Sequence, residues 1–454
     1  MKHMNIYKPV IGLEIHVELK TKSKMFCQCN ADYFGAKPNL HVCPVCMGMP
    51  GALPVPNKTA ILWMQKMGAA LGCELPRHSK FDRKHYSYPD LPKGYQISQY
   101  DEPFAIKGKM VLVNPYLKGG EKEFHITRVH MEEDTAKLIH EAGHSLVDFN
   151  RSSVPLVEIV TEPDFSDADD VRAFLEELQV IVRYLGISDA DMEKGSMRLE
   201  PNISVRVVSE KEIQDPNSNS KFELPKYKVE VKNINSFKFV KWAIEFEVKR
   251  QIELLEKGET PKQETRGYDD VKGITYSQRS KEEAQDYRYF PEPDIPPFHF
   301  SEAYISDVKK SLPELPSTRL NRFVKEYGVK SIDAFILTRD KKIADYFESI
   351  VTSEKMRKAG QAVANVIINK KIPVILSPEA FIAQFLERTE PIETDTALLA
   401  SAISSVLAAN GKAVAEYKSG KVTVVMFLVG QVMKQMKGKA DANVVRKALE
   451  VSLS

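Results

Sequence analysis

The chain has 454 residues, and its 64 Lys and Arg against 62 Asp and Glu give a formal net charge of +2. That length can bury several cores, and so even a balance selects neither nucleic acid nor a membrane as partner. No apolar run reaches the ~18 residues that span a bilayer, the first strand starts too early to leave room for a leader, and five cysteines make no disulfide scaffold; a soluble cytoplasmic protein is expected.

The first element is "VIGLEIHVELK", from Val10. Ile11, Leu13, Ile15, Val17 and Leu19 alternate with Glu14, His16 and Glu18, the period of a half-buried strand. Its polar face is either a wet surface or part of a metal site. Cys27-x-Cys29 and Cys43-x-x-Cys46 follow, two short-spaced pairs with Pro44 and Gly48 beside the second. Turns of this kind can converge four thiolates on one structural zinc.

Asn57 to Gly72 reads as a helix capped by Asn57, and Cys73 behind it as an inert apolar residue. "SKFDRKHYSYPDLPKGYQISQYDEP", Ser79 to Pro103, mixes Arg83, Lys84, His85 and Lys93 with tyrosines and prolines, as loops around a nucleotide or nucleic-acid end do. "HITRVHME" and "VPLVEIV" alternate like strands. They carry Glu132, Glu133 and Asp134, and Glu158 inside an apolar run, where an acid needs a charge partner or a cation. Several carboxylates with one imidazole suit a hard cation such as Mg²⁺.

Val171, Phe174, Leu175, Leu178, Ile181 and Leu185 mark a helix from Asp167 to Leu185 that Gly186 ends. "NISVRVV" and "YKVEVK" read as strands around a polar, mobile insert, Glu210 to Pro225, and a helix covers about Phe239 to Lys257. Pro291, Pro293, Pro296 and Pro297 make "YFPEPDIPP" a linker or a rigid edge. Helical patterns fill the rest, with boundaries expected near 297 and 375. From Gly411 onward the charge sums to +5, leaving about −3 for the remainder.

Motifs for a P-loop, a dinucleotide fold or a hydrolase elbow are absent from the sequence. On the residues alone, a zinc-ribbon RNA-binding protein with no reaction of its own and a metal-dependent phosphoesterase acting on nucleic acid both stay open.

The stretches "VIGLEIHVELKTKSKMF", "SKFDRKHYSYPDLPKGYQISQYDEP", "HMEEDTAKL", "DFNRSSVPLVEIVTEPD", "VKNINSFKFVKWAIEFE", "DYRYFPEPDIPP" and "MFLVGQVMKQMKGKA" resemble the B subunits of tRNA-dependent glutamyl/aspartyl-tRNA amidotransferases, over nearly the whole chain. The resemblance implies an α+β fold: a cradle-like, mostly antiparallel catalytic domain over 1–296, a helical domain over 297–374 and an all-α tail over 375–454. It implies ATP and Mg²⁺ as cofactors, misacylated tRNA as substrate, and a heterotrimer with an amidase-type A subunit that makes ammonia and a small C subunit. The implied Mg²⁺ ligands are Glu14, His16, Glu133 and Glu158, with Glu132 also a candidate and Glu18 left to solvent. Lys84 and Tyr86 are implied substrate or phosphate contacts. "GSMRLEPNIS" keeps Arg198 and Asn202 of the family pattern but has Glu200 and Pro201 where Asp-Ala is usual. The resemblance assigns Cys27, Cys29, Cys43 and Cys46 to structural zinc. It assigns tRNA contacts to the tail, whose cations are Lys412, Lys418, Lys421, Lys434, Lys437, Lys439, Arg446 and Lys447.

Overall fold

The computed structural model describes residues 6–117, 120–208, 223–280, 287–389, 395–436 and 440–453. The insert expected at Glu210 to Pro225 lies outside them up to Phe222, as do Lys437 and Lys439. The described chain is α+β and divides into two compact units, residues 1–345 and 346–454.

Alternation of apolar side chains makes β1 (Ile6–Glu18), in which Ile11, Leu13, Ile15 and Val17 are all buried. Short strands β2 (His78–Ser79), β3 (Asp82–His85) and β4 (Tyr95–Ser98) follow, then β5 (Ala105–Leu112) and β6 (Lys122–Glu133). The hairpin β7 (Lys137–Glu141) and β8 (His144–Asp148) stands apart, and the chain returns as β9 (Pro155–Thr161) and β10 (Met197–Val208). β11 (Val229–Lys232), β12 (Glu264–Asp269) and β13 (Ile274–Ser280) complete one eight-stranded sheet of order β13-β12-β11-β10-β1-β9-β6-β5. Every pairing in it is antiparallel except β11 with β12.

Helices α1 (Lys58–Ala70), α2 (Ala168–Leu185) and α3 (Phe237–Glu256) share one core with the sheet's apolar face. The Asn57 side chain caps α1 as expected, accepting from Thr59 and Ala60. With one face spent on that core, His16, His130, Glu132, Glu158 and Arg198 of the central strands turn to the other face. There the stretch expected to be a linker or an edge acts as an edge. β14 (Phe290–Pro291) pairs with β3, and β15 (Phe298–His299) pairs with β2. The Arg83 guanidinium clamps that strap, donating to Glu292 at 2.7 and 2.8 Å. Past Pro297 the chain stays with this unit, and the Tyr304 hydroxyl donates to Gln65 of α1 at 2.7 Å.

The second unit is helical. Its last helices, Thr396–Ala409, Gly411–Lys418, Val425–Gln435 and Ala442–Leu453, close on a core that includes Leu399, Val406, Leu428, Val432, Val445 and Leu449. No single helix among the described residues is long and apolar enough to cross a membrane.

Candidate active site

Register gathers the site. His16 lies opposite Glu158 on β9 and Arg198 on β10, and Glu158 lies opposite His130 on β6. Arg198, His16, Glu158 and His130 thus form a row across four strands, and directly opposed residues share a face. His16 Nε2 is 3.5 Å from Glu158 Oε2 and 3.9 Å from Glu132 Oε2; His130 Nε2 is 3.3 Å from Glu158 Oε2 and 3.6 Å from Glu132 Oε1. Lys84 approaches Glu132 from β3 at 3.4 Å, and the Ser98 hydroxyl on β4 donates to it at 2.8 Å.

Burial opposes charge on every member, but the partners outweigh it. The hydrogen bond and charge of Glu158 push His16 up to about 9. The Lys84 ammonium holds Glu132 down at about 2. His130 and His16 keep the Glu158 carboxyl well below the usual carboxylate range.

A second group adjoins the first. Glu14 lies opposite Glu200, and oxygens of Glu14, Glu200 and Glu230 come within 4.8 Å of one another. The Asn202 amide donates to Glu14 at 3.0 Å, and Lys232 is 3.1 Å from Glu200. Burial, with Glu158 nearby, raises the Glu14 carboxyl; Lys232 overcomes burial and lowers Glu200. Glu200 therefore faces the cavity with its charge retained.

These residues line a cavity of about 670 Å³, of a size for a substrate. Tyr86, whose hydroxyl donates to Gln96 at 3.4 Å, lines it too, as do Arg128, Tyr287 and Tyr289. Thus Glu14, His16, Lys84, Tyr86, Glu132, Glu158, Arg198 and Glu200 are brought to one cavity, with Asn202 at its edge.

Two expectations are corrected. Glu133 does not join the row, because adjacent strand residues face opposite ways. Its carboxylate accepts from the Ile97 backbone N–H at 2.9 Å and pairs with Lys93 at 2.8 Å, and Glu132 takes the place in the cavity. Glu18 is not left to solvent: it is 7 % exposed, between the Tyr33 hydroxyl at 3.0 Å and Arg198 at 3.3 Å. Burial and the nearby Asp134 charge push its carboxyl up to about 9, whereas Arg198 and Arg151 hold Asp134 ionised against its own burial.

His130 was missed, although it stands two residues before Glu132 and so on the same strand face. Glu230 and Lys232 are spaced alike in "YKVEVK". Tyr287 and Tyr289 left no comparable signal.

Sγ atoms of Cys27, Cys29, Cys43 and Cys46 lie within 4.8 Å of one another, and those of Cys43 and Cys46 are 3.8 Å apart. A zinc tetrahedron with bonds near 2.3 Å has edges of roughly 3.8 Å, so the donor set fits. Gly48 turns the knuckle at φ +65°, and a Cβ there would meet Lys93 Cγ at 2.4 Å. His16, Glu132 and Glu158 likewise offer one nitrogen and two oxygens within 4.8 Å, a donor set for a hard cation. In the tail, Lys412, Lys418, Lys434 and Lys447 are exposed, whereas Lys421 pairs with Glu416 at 3.0 Å and Arg446 with Glu450 at 2.8 Å.

A sheet face that sets carboxylates, imidazoles and ammonium groups around a substrate-sized cavity, in a chain that also has a helical unit, defines an α+β protein with an enzyme-like site. A family model described as the GatB/GatE catalytic domain matches residues 9–306, and another described as the GatB domain matches residues 339–453. The chain belongs to the GatB family. Relatives named as the B subunit of aspartyl/glutamyl-tRNA(Asn/Gln) amidotransferase are 43% identical in Dehalococcoides mccartyi, over 99% of both chains, and 42% identical in Carboxydothermus hydrogenoformans, over 99% of this chain and 100% of that one. The Thermotoga maritima relative of the same name is 43% identical over 98% of both.

Proposed function

We infer that this chain is the subunit of a glutamine-hydrolysing aspartyl/glutamyl-tRNA amidotransferase that converts tRNA-bound Glu or Asp to Gln or Asn. Amidation of a carboxylate needs activation, because oxide is no leaving group. In our reading ATP phosphorylates the side-chain carboxylate and ammonia then displaces phosphate. The observation that carries this reading is the row Arg198, His16, Glu158 and His130 with Glu132 and Lys84 beside it.

His16, Glu132 and Glu158 would hold Mg²⁺, which when bound offsets charge between the two anions that must meet. Lys84 and Lys232 stand on either side of the row to receive phosphoryl and carboxylate oxygens. Arg198, fixed by Asp134 and Glu18, keeps its place at the end of the row. Tyr86 closes the wall beside Lys84.

Ammonia has to be supplied from elsewhere. Cys73, the one thiol outside the zinc set, is 4 % exposed and burial pushes it up to about 12, so it is no glutaminase nucleophile. That supports an amidase-type A subunit as partner, with a small C subunit completing a heterotrimer. Zinc at the four cysteines is structural, and the tail cations supply tRNA affinity. Five cysteines with no disulfide among them suit the reducing cytoplasm, where aminoacyl-tRNA is found.

Ammonium chloride in place of glutamine tests the reading. Amide formation on misacylated tRNA should require ATP and Mg²⁺ and should fall at least about a hundredfold in His16→Ala. Amidation without ATP, or at the wild-type rate in that variant, refutes it.

A further inference from the structure

Lys24 has no solvent-exposed surface. A buried ammonium needs an anion, yet among the described residues no carboxylate lies within ion-pair distance of it. Its Nζ donates instead to Cys46 Sγ at 3.7 Å and to the Phe149 carbonyl at 3.2 Å. Its backbone N–H donates to the Cys29 carbonyl at 3.0 Å. One residue thus holds both arms of the cysteine knuckle, the backbone on the first pair and the side chain on the second.

Four thiolates around one zinc ion carry a net charge of about −2, and on the buried side of the cluster, at Cys27 and Cys46, that charge has to be offset from within the protein. Part of the offset comes from the Cys43 backbone N–H, which donates to Cys46 Sγ at 3.1 Å. Lys24 is a full charge in the same place. Its other acceptor, Phe149, opens the turn that leads into β9. The Ser152 hydroxyl in that turn donates to the Cys46 carbonyl at 3.3 Å, and Ser153 N–H donates to the Asp134 carbonyl at 2.8 Å.

We propose that Lys24 is the counter-charge of the zinc-loaded cysteine cluster, and that this pairing fastens the knuckle to the turn before β9. The proposal rests on zinc being the metal of the four cysteines. Lys24 is a positioning residue, since it acts through Cys46 and touches no substrate.

The pairing predicts opposite effects in two states of the full-length protein. With zinc bound, the isosteric Lys24→Met leaves the tetrathiolate under-compensated. With zinc stripped and the thiols protonated, the same change removes a buried charge that has lost its partner. Zinc retention against a chromophoric chelator should fall roughly tenfold to a hundredfold in Lys24→Met. Lys24→Gln, which keeps a donor but not the charge, should fall between Met and wild type, and it carries the test if the Met variant does not fold. Loaded Lys24→Met should melt below loaded wild type, and stripped Lys24→Met at or above stripped wild type. Wild type that holds no zinc overturns the metal reading itself. Zinc-bearing wild type with unchanged retention in the variants, or melting shifts of the same sign in both states, overturns the role of Lys24 alone.

Discussion

At the residue scale the decisive pair is Glu132 and Glu133. Two adjacent acids on a strand face opposite ways, so only one can enter the row. Mn²⁺, as a paramagnetic probe, should bind wild type and Glu133→Gln alike and should be lost in Glu132→Gln and Glu158→Gln. Equal binding in all four proteins removes the carboxylate row as the cation site. Glu133→Gln should instead lower stability by about 1–3 kcal/mol in urea unfolding, because Lys93 loses its buried partner. Thiol reactivity gives a separate check. Cys73 should resist an aromatic disulfide reagent at pH 8 in native protein, and the four knuckle thiols should react once zinc is chelated; a native Cys73 that reacts quickly contradicts its burial. The alternation in "VIGLEIHVELK" was enough to place Glu14 and His16 on one face. Choosing between Glu132 and Glu133 required the pairing of β6 with β9, which no local pattern contains. The same long-range register buried Glu18, whose partners Tyr33 and Arg198 stand far from it in sequence.

At the element scale the helices were legible because their signals are local. The stretch from Asp167 to Leu185 forms α2 with Asp167 as its N-cap, accepting from the Asp169 N–H at 2.7 Å, and Gly186 ends it at φ +70°. Asp167→Ala and Gly186→Ala should each cost about 1 kcal/mol in urea unfolding, the first by loss of a cap and the second by forcing a Cβ into the left-handed region. No change in either would mean that tertiary packing alone holds α2. The start of α3 was less legible: Ser236 caps it, accepting from the Phe239 N–H at 3.2 Å, so the helix begins before the apolar stripe does. "YFPEPDIPP" was ambiguous for a physical reason. Prolines suit a linker and a sheet edge equally, and only β3 across the gap decides between them.

At the scale of the whole molecule, charge separates two tasks. The sheet's polar face holds opposite charges in close balance, and the segment from Gly411 onward concentrates cations. Replacing Lys412, Lys418, Lys434 and Lys447 by Gln in the full chain should weaken tRNA binding. Each phosphate no longer neutralised should flatten the slope of log affinity against log salt by roughly 0.7 to 0.9. An unchanged slope would assign those lysines to solvent. Activation of the amino-acid carboxylate by the row on the sheet's polar face can be measured directly. Phosphate release from ATP is followed with Glu-tRNA(Gln) or Asp-tRNA(Asn), ammonium chloride and Mg²⁺, in wild type and Glu158→Gln within the assembled amidotransferase. Release should depend on misacylated tRNA in wild type and be lost in Glu158→Gln while tRNA affinity is kept. Release at the wild-type rate in Glu158→Gln would contradict activation by the row.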